Sequence, residues 1–305
     1  MPAKLELALP ARYRAAEILA YHGRDALSVS ERVAGAVIVK PLRLGGEPVL
    51  FEIDLSAGDV AILRTDRDLE ALEEAQALHV AGRMLGLASD PDGFERLVAA
   101  DPRVAGLVGM RTGLRIPLTA DPWEAVCWAV IGQQINLTFA AALRRALIER
   151  AGVVHGRQGL HLHPTPAQVA ELDPAELATM RFSRSKASYL VGAARSIAQG
   201  ELDIAAISAL PAGEAEAALV ALRGIGPWTA RYILLRGFGS PDVAPVGDSG
   251  LATGLQRLFG LAERPDIAAQ EAAMAVFAPH RSLATAHLWA SLTSLSAPSS
   301  PPPSG

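Results

Sequence analysis

The sequence predicts an α+β fold in which a small antiparallel-sheet unit at the N-terminus precedes a larger, all-helical part. Three observations predict it. Residues 27–63 alternate and favour β-branched side chains, notably over 33–39 and 49–55, with Gly45-Gly46 between them as a turn signal. From residue 69 onward, apolar positions recur at helical spacing with few strand candidates. Asp121-Pro122-Trp123-Glu124 and Asp173-Pro174-Ala175-Glu176 each place Asp at an N-cap, Pro at the first helical position and Glu where it completes a capping box.

The individual elements follow from these signals. Short strands are expected within 27–63 and a helix over 69–87. The helix opened by Asp121 is expected to run through Ile131 to about Arg150, with Trp123, Val126, Val130 and Leu137 among its apolar positions. Another is expected over 185–199, ending at Gly200.

The chain has 305 residues, half of them hydrophobic, enough to bury a full core in two or three packed units. We expect a mixed α/β domain over 1–97, a helical core over 98–295 and a disordered Pro- and Ser-rich tail over 296–305. Pro2 and Pro10 interrupt an N-terminal segment without a long apolar run, so no signal peptide is expected, and no stretch approaches the roughly 20 apolar residues of a membrane span. A cytoplasmic, monomeric protein without membrane contact is the expectation.

Cys127 is the only cysteine, which excludes an internal disulfide and any four-cysteine zinc or iron–sulfur site within the chain. A formal charge of −4 argues against an indiscriminate, charge-driven nucleic-acid binder. Basic residues nonetheless gather at Arg181, Arg184, Lys186 and Arg195, and again at Arg223, Arg231 and Arg236. They read either as solvated helix faces or as a local grip on phosphates.

The most informative segment is Leu222-Arg223-Gly224-Ile225-Gly226-Pro227-Trp228-Thr229-Ala230, which lies between helical stretches from Glu214 and through Gly237. It reads as two helices joined by a tight turn. Gly224 and Gly226 permit positive φ and bare backbone, Ile225 plugs into the core, and Pro227 is preset for the first turn of the second helix. The free amides at that helix start, including Thr229, then face an anion such as a phosphate, without reading sequence.

This hairpin, the loop Phe238-Gly239-Ser240-Pro241-Asp242-Val243-Ala244-Pro245-Val246-Gly247 and the following Asp248 together resemble the helix-hairpin-helix DNA glycosylase superfamily. Val130-Ile131-Gly132-Gln133-Gln134-Ile135, Phe182-Ser183-Arg184-Ser185-Lys186-Ala187, Pro279-His280-Arg281-Ser282 and His287-Leu288-Trp289 resemble further family blocks in the same order. The resemblance spans roughly residues 13–291, and the α/β unit ahead of the helices points to the bacterial 3-methyladenine DNA glycosylase II branch, the alkylbase glycosylases. It implies a two-lobed helical core with the hairpin at about 214–238, and duplex DNA carrying alkylated bases as partner. No redox cofactor or catalytic metal is implied.

Bifunctional members place a Schiff-base lysine in the second hairpin helix. The matching position here is Trp228, so the resemblance implies a monofunctional enzyme that hydrolyses the N-glycosidic bond of alkylated purines. Asp248 is its candidate catalytic carboxylate, stabilising charge on the departing sugar and orienting or deprotonating water. The plain reading of Asp248 is a helix N-cap, and both roles are compatible. Asp242 is a nearby rival with a poorer offset.

Trp228, Tyr232, Trp289 and, from the N-terminal unit, Tyr21 match the family's base pocket, where aromatic faces attract a cationic base. Their plain reading is hydrophobic core. Gly224, Ile225, Gly226, Thr229, Gln134, Arg184 and Lys186 are the expected DNA-binding set. Gln134 stands where relatives carry an apolar gap-filling wedge, although Gln133 and Gln134 read equally well as buried structural amides. The rival functions are a non-catalytic helix-hairpin-helix protein that binds damaged DNA, a glycosylase for deaminated bases, and a metabolic enzyme with a chance Gly-x-Gly turn.

Overall fold

The computed structural model describes residues 2–293; the tail expected to be disordered, 296–305, lies outside the described residues. The N-terminal part contains β1 (Lys4–Ala8), α1 (Ala15–His22), β2 (Arg32–Ala34), β3 (Val37–Leu44), β4 (Glu47–Asp54), β5 (Val60–Thr65), α2 (Ala71–Met84) and α3 (Pro91–Ala100). Then follow α4 (Pro122–Gly132), α5 (Leu137–Ala151), the two-residue strands β6 (Val153–Val154) and β7 (His161–Leu162), α6 (Pro166–Ala170), α7 (Pro174–Thr179) and α8 (Arg184–Ala198). The chain continues through α9 (Ile204–Ser208), α10 (Ala212–Val220), α11 (Pro227–Ile233), α12 (Ser249–Leu258), α13 (Ile267–Met274) and α14 (Arg281–Thr293).

Five antiparallel strands form one sheet in the order β1-β5-β4-β3-β2, as the fold class requires. The edge strand β1 is an addition to the expected set, paired with β5 through Leu7 opposite Ala61. One sheet face carries Ile38, Leu42, Phe51, Ile53 and Leu63, which pack with Ile18, Ala77, Ala81 and Met84 from α1 and α2. The other face is covered locally where Leu160 packs on Val39 and Leu50. Burial on both faces gives β3 and β4 their near-continuous apolar pattern.

A second hydrophobic cluster begins at Phe94 and Val98 on α3 and ends at Leu288 on α14, taking in every long helix between. No helix among the described residues is long and apolar enough to cross a membrane.

Two expectations are corrected. The helix opened by Asp121 does not run to Arg150. It stops at Gly132, Gln134 takes a left-handed φ of 56°, and Asn136 caps α5 by accepting from Phe139 N at 2.8 Å. A Gly followed by residues that tolerate turn geometry, then an Asn cap, ends one helix and starts another despite continuous apolar spacing. Asp121 and Asp173 do cap α4 and α7, but Glu176, paired with Arg150, completes no capping box, and neither does Glu124. Its buried carboxylate accepts from Lys40 Nζ of β3 at 3.0 Å and Arg144 Nη2 at 3.4 Å.

That ion cluster joins sheet to helices. Glu31 lies 4.0 Å from Lys40 and receives His22 Nδ1 at 3.1 Å. Burial disfavours ionisation of Glu124 and Glu31, but Lys40 and its neighbours outweigh it and hold both carboxyls below their usual range. Removing one partner of such a pair leaves uncompensated buried charge. Lys40→Met should therefore lower unfolding free energy by about 3–5 kcal/mol in denaturant titrations. Because depressed folded-state pKa values confer stability that is complete above the unfolded value near 4.3 and fades as pH falls through the folded one, the wild type should lose this contribution below about pH 4. The variant's stability should depend less on acid over that window.

Candidate active site

The hairpin forms as its residues demand. Gly224 has φ 89°, and a Cβ there would lie 2.1 Å from the Tyr189 ring, so the turn needs glycine on both counts. Ile225 is buried in the helical core, and Pro227 occupies the first position of α11. Gly226 is different. Its φ is −87°, and a Cβ there would meet nothing within 4 Å. The first bond of α11 runs from Ala230 N to Gly226 O at 2.9 Å, which leaves the Trp228 and Thr229 amides as helix-start donors at an open backbone.

Gln133 holds this turn. Its Nε2 donates to Gly224 O at 2.9 Å and to Thr229 Oγ1 at 3.0 Å, which fastens the hairpin to the end of α4. The two glutamines therefore divide: Gln133 is a structural amide, whereas Gln134 stands exposed at the corner before α5. Arg184 at the start of α8 and Arg223 in the hairpin are exposed.

One member of the expected DNA-binding set is corrected. Lys186 is buried, and its Nζ donates to Ile131 O at 2.9 Å, so this lysine ties α8 to α4. The Thr229 side chain is buried and accepts from Gln133, while its backbone amide stays a helix-start donor. Arg231 is likewise committed, to Glu216 and Glu271.

Beyond Ile233, α11 continues as a π-turn over Leu234–Phe238, which inserts a residue and shifts the side chains that follow. Arg236 lies in it. Its Nη1 donates to Pro117 O at 2.9 Å, and its guanidinium sits 4.7 Å from the Tyr21 ring centroid and 5.5 Å from that of Trp289. In the loop that follows, Asp242 binds Arg281 through both oxygens, at 2.7 and 2.9 Å, which assigns this rival carboxylate to anchoring the start of α14.

Asp248 caps α12. Its Oδ1 accepts from Leu251 N at 2.7 Å and from Trp289 Nε1 at 2.9 Å; Oδ2 has no hydrogen-bond partner among the described residues. Gly250 permits this approach, since a Cβ there would fall 3.0 Å from Asp248 Oδ1 and 3.2 Å from Trp289 Cδ1. The Trp289 ring centroid lies 6.3 Å from Tyr232, which lies 5.8 Å from Trp228 one helical turn earlier. All three rings and Tyr21 are only partly buried. They form an open aromatic wall next to the carboxylate, not sealed core.

Tyr21 completes the wall from α1, with its ring between two cations: Arg24 lies 3.9 Å from the centroid on one approach and Arg236 4.7 Å on another. Burial raises the Tyr21 phenol, but these guanidiniums overcome it and bring it below the usual range. Tyr232 is pushed up to about 12, first by burial and then by Tyr21. Trp128, on α4, lines the same recess with Leu118 and Ala125.

The sequence reading missed Trp128, Arg24 and the pocket role of Arg236. Trp128, one turn after Glu124, carried a signal in its composition, as the one tryptophan of four without a clear place. The arginines carried none, because side chains reaching across a cleft leave no periodic trace. No cluster of three or more metal-ligating side chains occurs among the described residues.

With the hairpin, the loop and the Asp248 cap in place, comparison with known families is decisive. A sequence profile described as HhH-GPD superfamily base excision DNA repair protein matches residues 127–279, from α4 to the loop before α14. The chain belongs to this superfamily. It is 28% identical over 189 residues to a DNA-3-methyladenine glycosylase of Bacillus subtilis, covering 60% of this chain and 62% of that protein. It is 32% identical over 213 residues to a probable bifunctional transcriptional activator/DNA repair enzyme AlkA of Mycobacterium tuberculosis, covering 69% of this chain and 41% of that protein. The chain thus spans less than two thirds of the length of these curated relatives. A solved structure of 3-methyladenine DNA-glycosylase from Archaeoglobus fulgidus superposes with a TM-score of 0.84 at 21% identity, over 96% of this chain and 99% of that one, and so shares the HhH-GPD fold including the N-terminal sheet.

The hairpin geometry separates the two glycines experimentally. Gly224→Ala must adopt positive φ and displace Tyr189, and should lose about 2 kcal/mol or more in chemical denaturation. Gly226→Ala should remain within about 0.5 kcal/mol of the wild type. Equal losses would contradict the assignment of the turn.

Proposed function

We propose that the chain, acting as a monomer on duplex DNA, hydrolyses the N-glycosidic bond of alkylated purines and leaves an abasic site. One observation carries this reading: a carboxylate is fixed through Oδ1 by its own helix and by Trp289, with Oδ2 free beside a partly open aromatic wall. The relatives' names agree with it.

Cleavage of the bond between sugar and base builds positive charge on the deoxyribose. A preorganised carboxylate stabilises that charge without reorganising, and its free oxygen orients or deprotonates the water that attacks C1′. A purine alkylated at N3 or N7 departs as a neutral base and needs no strong general acid. Its cationic ground state suits the faces of Trp228, Tyr232 and Trp289, each favourable contact being worth about 0.5–2 kcal/mol.

The lysines support a monofunctional reaction. The chain has Lys4, Lys40 and Lys186. Lys4 pairs with Glu6 on the edge strand, Lys40 with Glu124, and Lys186 with a backbone carbonyl, so none stands ready beside Asp248 to form a Schiff base.

For DNA, the hairpin supplies the grip. The open backbone at Gly226 and the helix-start amides suit a phosphate, with Arg184 and Arg223 as flanking cations. The target nucleotide must leave the stack to reach the wall, and the exposed Gln134 is the group we assign to the vacated space.

Asp248→Asn keeps a good N-cap and an acceptor oxygen for Trp289 Nε1, so it should fold, with a melting temperature lowered by no more than about 5 °C. Its release of 3-methyladenine and 7-methylguanine from methylated DNA should fall by about 10²-fold or more. Unchanged release would eliminate the mechanism, and intact DNA binding with no release by either protein would favour a non-catalytic binder. Gly226→Ala, which leaves the fold alone, should weaken duplex binding several-fold in fluorescence anisotropy at fixed salt.

A further inference from the structure

The recess beside the aromatic wall is already filled. Arg24, just beyond the end of α1, lays its guanidinium 3.9 Å from the Tyr21 centroid and 5.5 Å from that of Trp128. The cavity left there, lined by Tyr21, Trp128 and Tyr232 and on its inner side by Lys40, Glu124 and Arg144 of the buried ion cluster, is about 20 Å³, room for a water molecule and far below the several hundred Å³ of a ligand pocket. A purine cannot enter while Arg24 stays.

Arg24 and Arg236 share the Tyr21 ring but are held very differently. Arg236 is half-buried and bonded to Pro117 O. Arg24 is exposed; its Nη1 donates to Tyr21 O at 3.3 Å, the Tyr21 hydroxyl and, at longer range, Glu31 attract it, and it makes no ion pair among the described residues. It sits on the loop that follows Gly23, the C-cap of α1. Of the two cations on the ring, Arg236 is anchored across the cleft to Pro117 O, whereas Arg24 is bonded only to Tyr21 among the described residues.

We propose that Arg24 is a plug: its guanidinium occupies the base seat in the free protein and must be expelled by each incoming base. The inference rests on the reading of this cluster as a base pocket and adds a regulating residue to it. Expulsion forfeits the cation–π contacts with Tyr21 and Trp128, equivalent to about 2- to 30-fold in binding. Because Arg24 has left before the base is seated, the penalty is common to all bases. Removing Arg24 should tighten the pocket for cationic and neutral bases alike, and leave the ratio between them unchanged.

The test uses the full chain and two nucleosides, 7-methylguanosine as a fixed cation and inosine as a neutral purine, titrated by quenching of tryptophan fluorescence. Arg24→Ala should bind both about 2- to 30-fold more tightly than the wild type, and Arg24→Gln, which keeps a planar group without charge, should move the same way. In single-turnover release from duplexes carrying 7-methylguanine or hypoxanthine, both variants should be faster by a similar factor for each base. Unchanged or weaker nucleoside binding by both variants overturns the proposal. A gain confined to the cationic nucleoside also overturns it, since Arg24 would then remain beside the seated base and repel it. Absence of release by the wild type would count against the glycosylase reading, while the nucleoside titration still decides the plug.

Discussion

The hydrogen bond from Trp289 Nε1 to Asp248 Oδ1 ties the chemistry of this protein to its fold. Asp248 closes the loop that leaves the hairpin helix, and Trp289 lies on α14, 41 residues later. Neither residue alone fixes the carboxylate: the cap bond to Leu251 N sets χ1 but leaves the carboxylate plane free to turn about χ2. With Leu251 N and the indole sharing one oxygen, the carboxylate plane is set and the second oxygen is presented. A charge-assisted bond of this kind is worth about 1.5–3 kcal/mol, enough to hold one rotamer. The supporting parts follow from it. The Asp242–Arg281 fork fixes the start of α14, Gly250 clears the approach, and the π-turn after α11 places the loop.

Electrostatics near the wall are divided by depth. At the bottom, Lys40, Glu124, Arg144, Glu31 and His22 neutralise one another where sheet meets helices. Nearer the surface, two guanidiniums flank Tyr21, and one carboxylate oxygen is left over at Asp248. A buried cluster of this kind contributes little net stability over an apolar replacement, and its gain is in register. Here the register is that of β3 against α4, which sets the distance between Tyr21 and the rings of the helical part.

Much of this was legible in sequence because local chemistry decided it. Asp-Pro openings, a Gly-x-Gly turn followed by Pro, and alternation in β-branched runs are signals read within a few residues, and the structure places elements at each. The Asp248 cap and the i, i+4 pair Trp228 and Tyr232 belong to the same class. What stayed hidden depended on long-range contact. Lys186 read as a DNA ligand until its partner, Ile131 O, came into view. Glu124 fitted a capping box but found stronger cations on β3 and α5. The break between α4 and α5 is local, yet continuous apolar spacing masked it, and β1 is too short and too polar on alternate positions to stand out before its partner β5 is known.

The account turns on charge at the free oxygen of Asp248, and a mimic of the reacting sugar isolates that charge from every other step. A duplex in which one nucleoside is replaced by a protonated pyrrolidine places a cation where the oxocarbenium ion forms, and transition-state mimics exploit only interactions that matter there. The wild type should bind this duplex about 10²-fold or more tightly than Asp248→Asn does, while both bind a duplex with a neutral abasic analogue equally well. Equal affinity of the two proteins for the cationic duplex would contradict the account.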